Sequence, residues 1–155
     1  MYTLFRIQNF RGFRDFTLND LGRVNLFAGK NNVGKSSLLE ALFLHGGAYN
    51  PGLIMTLNAF RGIESIKHEV FSPTSMVWDT FFHNLDATQL IGISGEDKKT
   101  GLRTTEFEIV SQPDELVQLT QRLQPSTNTA SIAALSSEVP KVLRLKYYNG
   151  SEKKG

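Results

Sequence analysis

The chain contains no cysteine and no long apolar run. The first absence excludes disulfides and cysteine-ligated metal, and it agrees with a reducing compartment. The second leaves nothing near the ~20 apolar residues that a membrane-spanning helix needs. The start, Met1-Tyr2-Thr3-Leu4-Phe5-Arg6, lacks the basic segment and apolar stretch of a signal peptide. The expectation is a cytoplasmic chain that does not enter a membrane. Net charge is also small, at +2, and no basic-aromatic stripe argues for nucleic acid. The lysines of the tail, Lys153 and Lys154, read as solvated charge. What is present suits one ordinary folded domain: 155 residues, 40% hydrophobic and 21% charged.

Residues 2–8 alternate like a strand, with Tyr2, Leu4 and Arg6 on one face and Thr3, Phe5 and Ile7 on the other. Asn9-Phe10-Arg11-Gly12-Phe13 reads as a turn, Phe16 to Leu18 as a second short strand, and Asp20-Leu21-Gly22 as another turn. Val24-Asn25-Leu26-Phe27-Ala28 is a short apolar strand that runs straight into Gly29. Leu38, Leu39, Ala41, Leu42, Phe43 and Leu44 are apolar almost all round, which predicts a deeply buried helix stopped by Gly46-Gly47. Residues 48–75 resolve only into short apolar pieces between Pro51-Gly52 and Ser72-Pro73, and 75–83 suits a short amphipathic helix. Ile91 and Ile93, a polar turn from Gly95 to Gly101, then Phe107 and Ile109 predict a hairpin. Leu116, Leu119 and Leu123 have helical spacing, 124–138 reads as a mobile loop, and Val142, Leu143, Leu145 and Tyr147 form a last strand. Asn149-Gly150 is a strong hairpin signal, but Ser151 to Gly155 look too short and polar to pair. The chain therefore reads as cut off inside a hairpin.

Residues 29–36, Gly29-Lys30-Asn31-Asn32-Val33-Gly34-Lys35-Ser36, match the phosphate-loop pattern Gly-x-x-x-x-Gly-Lys-Ser/Thr in full. A phosphate chain needs donors converging from one side, and backbone N–H groups supply them when a loop wraps round it. Side chains obstruct that wrapping, which explains Gly29 and Gly34. The next helix points its N-terminus at the anion. Lys35 reaches the terminal phosphates, Ser36 offers its hydroxyl to magnesium, and Ser37 faces the inner phosphate. Asn31 and Asn32 either orient the loop or tolerate its left-handed conformations. Chance produces this pattern in about one chain of this length in a hundred, and the strand before and helix after lower that further. The expectation is a site for ATP with magnesium, in which Lys30 and Val33 complete the loop.

The loop and its flanks resemble a known family. Asn9-Phe10-Arg11-Gly12-Phe13, the strand from Val24, and the loop continued as Ser37-Leu38-Leu39-Glu40-Ala41-Leu42 are similar to the start of ABC-type ATPases of the SMC, RecF and OLD group. Leu57-Asn58-Ala59-Phe60-Arg61-Gly62 and Phe81-Phe82-His83-Asn84-Leu85-Asp86 resemble stretches of bacterial OLD-like AAA-family ATPases. The specific part covers residues 4–45. The resemblance implies an α/β fold: the N-terminal lobe of a P-loop NTPase with an attached antiparallel β-subdomain, incomplete at its end. The pattern along the chain divides a single lobe, 1–155, into strands, loop and helix (1–48), an irregular or helical insertion (49–88) and the β-subdomain (89–155). The resemblance also implies that Arg11 contacts the nucleotide; the alternative is a solvated turn arginine.

The departures from that family bear on activity. No apolar strand ending Asp-Glu, the Walker B element, is found; Met76-Val77-Trp78-Asp79 is nearest and has no second acid. Ile93-Ser94-Gly95-Glu96 is one glycine short of the signature and reads as hairpin. His45, His68 and His83 come too early for a switch histidine, and Gln89, Gln112 and Gln118 do not single out a magnesium-reaching glutamine. Hydrolysis needs a positioned water and charge stabilisation beyond the phosphate grip. The expectation is an ATP-binding lobe of a larger ATPase, inactive alone, in DNA repair or antiphage defence. The competing reading is a nucleotide-dependent switch or adaptor that never hydrolyses. A GTPase ranks below both, because no Asn-Lys-x-Asp motif is present. Self-association through the unfinished edge is expected.

Overall fold

The computed structural model describes residues 1–48, 50, 52–62, 78–110, 142–150 and 152–154. The expected helix at 116–123, the loop at 124–138, Met76, Val77, His68, Gln112 and Gln118 lie outside them. Six strands form one antiparallel sheet: β1 (Tyr2–Phe10), β2 (Phe13–Leu18), β3 (Ile91–Asp97), β4 (Gly101–Val110), β5 (Val142–Asn149) and β6 (Glu152–Lys154), in the order β2-β1-β3-β4-β5-β6. Among the described residues two α-helices, α1 (Lys35–Gly46) and α2 (Gly52–Phe60), and a short 3-10 helix, His83–Leu85, accompany it. The predicted β3–β4 hairpin, the last strand and helix α1 are all present. The antiparallel unit is wider than expected: it takes in β1 and β2 and is not confined to residues after 89.

Strand chemistry explains the layering. Phe5 and Ile7 of β1, Ile91 and Ile93 of β3 and Phe107 of β4 are buried, and they meet Leu38, Ala41 and Leu44 of α1 and Ile54 and Leu57 of α2 in one cluster. Leu143 and Leu145 of β5 pack against its edge. The alternate residues carry charge. Glu108 pairs with Arg144 and Lys146, Tyr148 donates to Glu106, and Arg6 pairs with Asp15. One face of the sheet is thus dry and the other polar, as period-two patterning dictates.

Four expectations are corrected. Tyr2 does not share a face with Leu4 and Arg6: the register shifts between Tyr2 and Leu4, and the Tyr2 ring meets Phe5 and His45. A bulge of this kind inserts one residue and reverses the alternation. Val24–Ala28 is not a core strand. It has no ladder partner among the described residues, and Val24 and Leu26 are each 92% exposed. Apolar composition alone does not make a strand when nothing offers it hydrogen bonds. Helix α1 is buried on one face only, with Leu39 and Phe43 exposed, because the sheet covers a single side of it. Finally, residues 152–154 do pair, with Tyr147, Tyr148 and Asn149 across the turn at Gly150, whose φ is +64°. Backbone bonds need no apolar side chains, so polarity did not prevent this short return.

Helix α2 lies in the stretch that the sequence marks only as an irregular or helical insertion. Its nine residues carry the apolar set Leu53, Ile54 and Leu57 next to Pro51-Gly52, which reads as a break. Tertiary packing on α1 supplies what local propensity lacks.

Candidate phosphate-binding loop

Residues 29–34 form an exposed loop of turns and bends that ends as Lys35 opens α1. Gly34 is the hinge. Its φ of +101° is left-handed, and a Cβ there would lie 2.9 Å from the Phe13 ring. Glycine is required on both counts. Asn32 is also left-handed, at φ +65°, so this asparagine takes the conformational role expected of it. Gly29 differs: its constraint is space, with Val33 Cγ2 3.1 Å from where a Cβ would be.

The N-terminus of α1 has no side-chain cap and no acid in its first turn. The first N–H groups of a helix are orphans that carry partial positive charge. No acid of the helix's own first turn is offered to them. Lys35 Nζ donates to the carbonyls of Gly29 and Lys30, at 2.7 and 2.6 Å, so its charge sits inside the curve of the loop. Two cavities flank this loop. One, of about 570 Å³, is bordered by Asn31, Asn32, Gly34, Lys35, Ser36 and Ser37 on the loop side. The other, of about 370 Å³, lies between Asn32, Val33, Gly34 and Ser37 and the turn Arg11-Gly12, with Asn84 and Leu85 on its far wall.

Arg11 is neither solvated nor free. Its side chain is only 7% exposed. Nη1 donates to Thr80 O at 2.8 Å, Nε lies 3.2 Å from Glu40 Oε2, and the guanidinium covers the Phe81 ring at 4.3 Å. Burial lowers its pKa from the ordinary arginine value, and the Glu40 carboxylate opposes that shift. Arg11 borders the smaller cavity, and its Nη2 is buried without a hydrogen-bond partner. Glu40 also holds Arg61, Nε to Oε1 at 2.7 Å. Glu40 and Arg61, which border these cavities, were not singled out in the sequence. Both lay in the quoted stretches, each a charged residue beside apolar neighbours, which was the available signal.

Other candidates are not brought to the loop. Gln89 borders a separate polar cavity of about 650 Å³ with Gln8, Asn9, Arg14, Asp15 and His83. Asp79 follows Trp78 in a helical turn that ends in hydrogen bonds from Phe81 and Phe82, so it is not a strand acid. His45 is buried on Thr105, Nδ1 to Oγ1 at 3.1 Å, away from both loop cavities. No cluster of three metal-ligating side chains occurs among the described residues. Magnesium on a nucleotide takes most of its ligands from phosphate and water oxygens, so it needs no such cluster, although a carboxylate usually completes its shell. The donors here, orphan helix N–H groups, Lys35 and the hydroxyls of Ser36 and Ser37, fit such a group.

The family described as the AAA ATPase domain matches residues 1–147. The chain belongs to this AAA ATPase domain family. Membership implies a P-loop NTPase fold; the described part of it is the antiparallel sheet with two helices. An uncharacterized protein of Methanocaldococcus jannaschii is 54% identical over 84 residues, 54% of this chain and 37% of that protein. An ATP/GTP phosphatase of Helicobacter pylori is 33% identical over 89 residues, 57% of this chain and 22% of that protein. This AAA ATPase domain thus aligns with well under half the length of either relative. No helix among its described residues is long and apolar enough to cross a membrane.

Proposed function

We propose that this AAA ATPase domain binds ATP with magnesium through the loop Gly29 to Ser36, as the nucleotide-binding part of a larger ATPase. One observation carries the reading. A left-handed Gly34 opens an uncapped helix with no acid in its first turn, and Lys35 curls its ammonium into the loop. Lys35 would hold the terminal phosphates, Ser36 the magnesium and Ser37 the inner phosphate. Lys30, Asn31, Asn32 and Val33 would present backbone N–H groups. Arg11 would act at the edge of the smaller cavity. The Helicobacter relative, named for ATP and GTP hydrolysis, supports nucleotide chemistry in the complete protein. Within the family we favour the SMC, RecF and OLD group, with DNA repair or antiphage defence as contexts, on the motifs quoted above.

A second reading has its own support. Glu40 is the sole acid bordering the two loop cavities among the described residues, and two arginines engage it. Among the described residues, no free carboxylate borders these cavities to orient a water for attack. This favours a nucleotide-dependent switch for the chain by itself. Calorimetric titration with ATP and magnesium, joined to a phosphate-release assay, separates the outcomes. Binding without release supports the switch or an incomplete ATPase. Steady release near ~1 per second, at the low end of enzyme turnover, supports a complete catalytic site. No binding at all defeats both.

A further inference from the structure

Among the described residues, cations outnumber acids beside the loop: Lys35, Arg11 and Arg61 border its two cavities, against the single acid Glu40. Glu40 is shared: Arg11 Nε lies 3.2 Å from one oxygen and Arg61 Nε 2.7 Å from the other. The two arginines are held very differently. Arg11 is buried, lies over Phe81 and donates to Thr80 O, so its place is set by packing. Arg61 closes helix α2, its side chain is 38% exposed, and it borders both cavities. Every other residue common to the two linings, Asn32, Gly34 and Ser37, belongs to the loop or the start of α1.

From this arrangement we infer that Arg61 is a phosphate-binding residue that Glu40 holds beside the loop until a polyanion arrives. The inference rests on the proposal that the loop binds nucleotide phosphates. Three physical points carry it. The Arg61 end of the ion pair is 38% exposed, so water and a competing anion can reach it, and a pair open to solvent on one side exchanges more readily than a buried one. A guanidinium binds phosphate oxygens through a planar fork of charge-assisted donors, which favours the exchange. Release of Arg61 does not strand Glu40, because Arg11 stays beside it. Helix α2, which showed no chemistry in the sequence, thereby gains a function: its end brings a second cation to the cavity that Lys35 borders.

The test uses the whole chain and two probes with magnesium, ATP and inorganic tripolyphosphate, titrated by calorimetry into wild type, Arg61→Ala, Arg61→Lys and Lys35→Ala. Arg61→Ala should weaken both probes alike, by about tenfold for a lost charge-assisted contact. Arg61→Lys should recover part of that loss, and the melting temperature of the unliganded variants should stay at the wild-type value. Wild-type affinity in Arg61→Ala, alongside loss in Lys35→Ala, overturns the role of Arg61 and leaves the loop site standing. A loss confined to ATP also overturns it, because Arg61 would then contact the nucleoside. So does a loss matched by a fall in melting temperature, which would make Arg61 structural. Failure of wild type to bind either probe removes the phosphate site itself.

Discussion

The ammonium of Lys35 lies 2.7 Å from the carbonyl oxygen of Gly29, the first residue of the loop meeting the residue that closes it. The loop is thus drawn round a positive charge by its own backbone. This contact is exposed, so it adds little to stability. Lys35→Ala should therefore leave melting unchanged and weaken ATP by at least about tenfold, roughly 1.4 kcal/mol. Titration calorimetry paired with thermal melting measures both. Equal affinity in the two proteins would count against the loop as the site.

Gly34 should not tolerate a side chain. Its backbone is left-handed and the Phe13 ring stands in the way of a Cβ. Gly34→Ala should cost about 1–2 kcal/mol from the backbone alone, read from urea unfolding. Adding Phe13→Ala to Gly34→Ala should relieve the clash without restoring the loop. Full recovery of ATP binding in the double variant would show that φ at residue 34 does not matter.

Glu40 is the counter-ion of a buried arginine. Glu40→Ala would leave Arg11 desolvated beside Phe81 with its ion pair removed. Breaking one side of a buried pair costs about 3–5 kcal/mol. Glu40→Gln, which keeps the shape and an acceptor, should cost less. Denaturant midpoints that match wild type in both variants would mean that Arg11 needs no counter-ion.

Stability should fall in mild acid because of His45. The ring is 2% exposed among Tyr2, Phe5 and Thr105. Burial, with help from nearby Arg103, lowers its pKa from 6.5 to about 4. The folded chain therefore refuses a proton that the unfolded chain accepts. The stabilisation is fully present above pH 6.5 and is lost as pH falls through that value toward 4, by about 3 kcal/mol in all. Asp15, Asp86 and Glu108 have pKa values lowered by their hydrogen bonds, first to Arg6, Thr88 and Lys146, so they lose stabilisation at lower pH. Urea unfolding between pH 7 and 4.5 should show the slope in wild type and a flatter line in His45→Gln. Identical slopes would remove His45 as the cause.

Self-association is expected through residues 24–27, a site that differs from the C-terminal edge favoured by the sequence. Val24 and Leu26 are almost fully exposed side by side with the half-covered Phe27. Exposed apolar segments without a ladder partner invite pairing. Light scattering across a dilution series should show association in wild type and less of it in Leu26→Asp. A monomer at high concentration in wild type would sink this prediction.

The chain of residues from Gly29 to Ser37 was legible in the sequence because its constraints are local. A left-handed turn needs glycine, a helix must open on the anion, and a lysine must follow at a fixed spacing. The β3–β4 hairpin and helix α1 were legible for the same reason, since their periodicities repeat within a few residues. Three things were decided only by the tertiary structure. Val24–Ala28 has the composition of a strand, yet a strand exists only where another chain segment accepts its hydrogen bonds, and none among the described residues does. Helix α2 forms because α1 gives its short apolar stripe something to cover. Arg11 could have been a solvated turn residue or a ligand contact, and it became a buried cation because Glu40, 29 positions away, and Thr80, 69 positions away, converge on it. Long-range convergence of this kind leaves no periodic trace in a sequence, and that convergence joins Glu40, Arg11 and Arg61 at the edge of the loop.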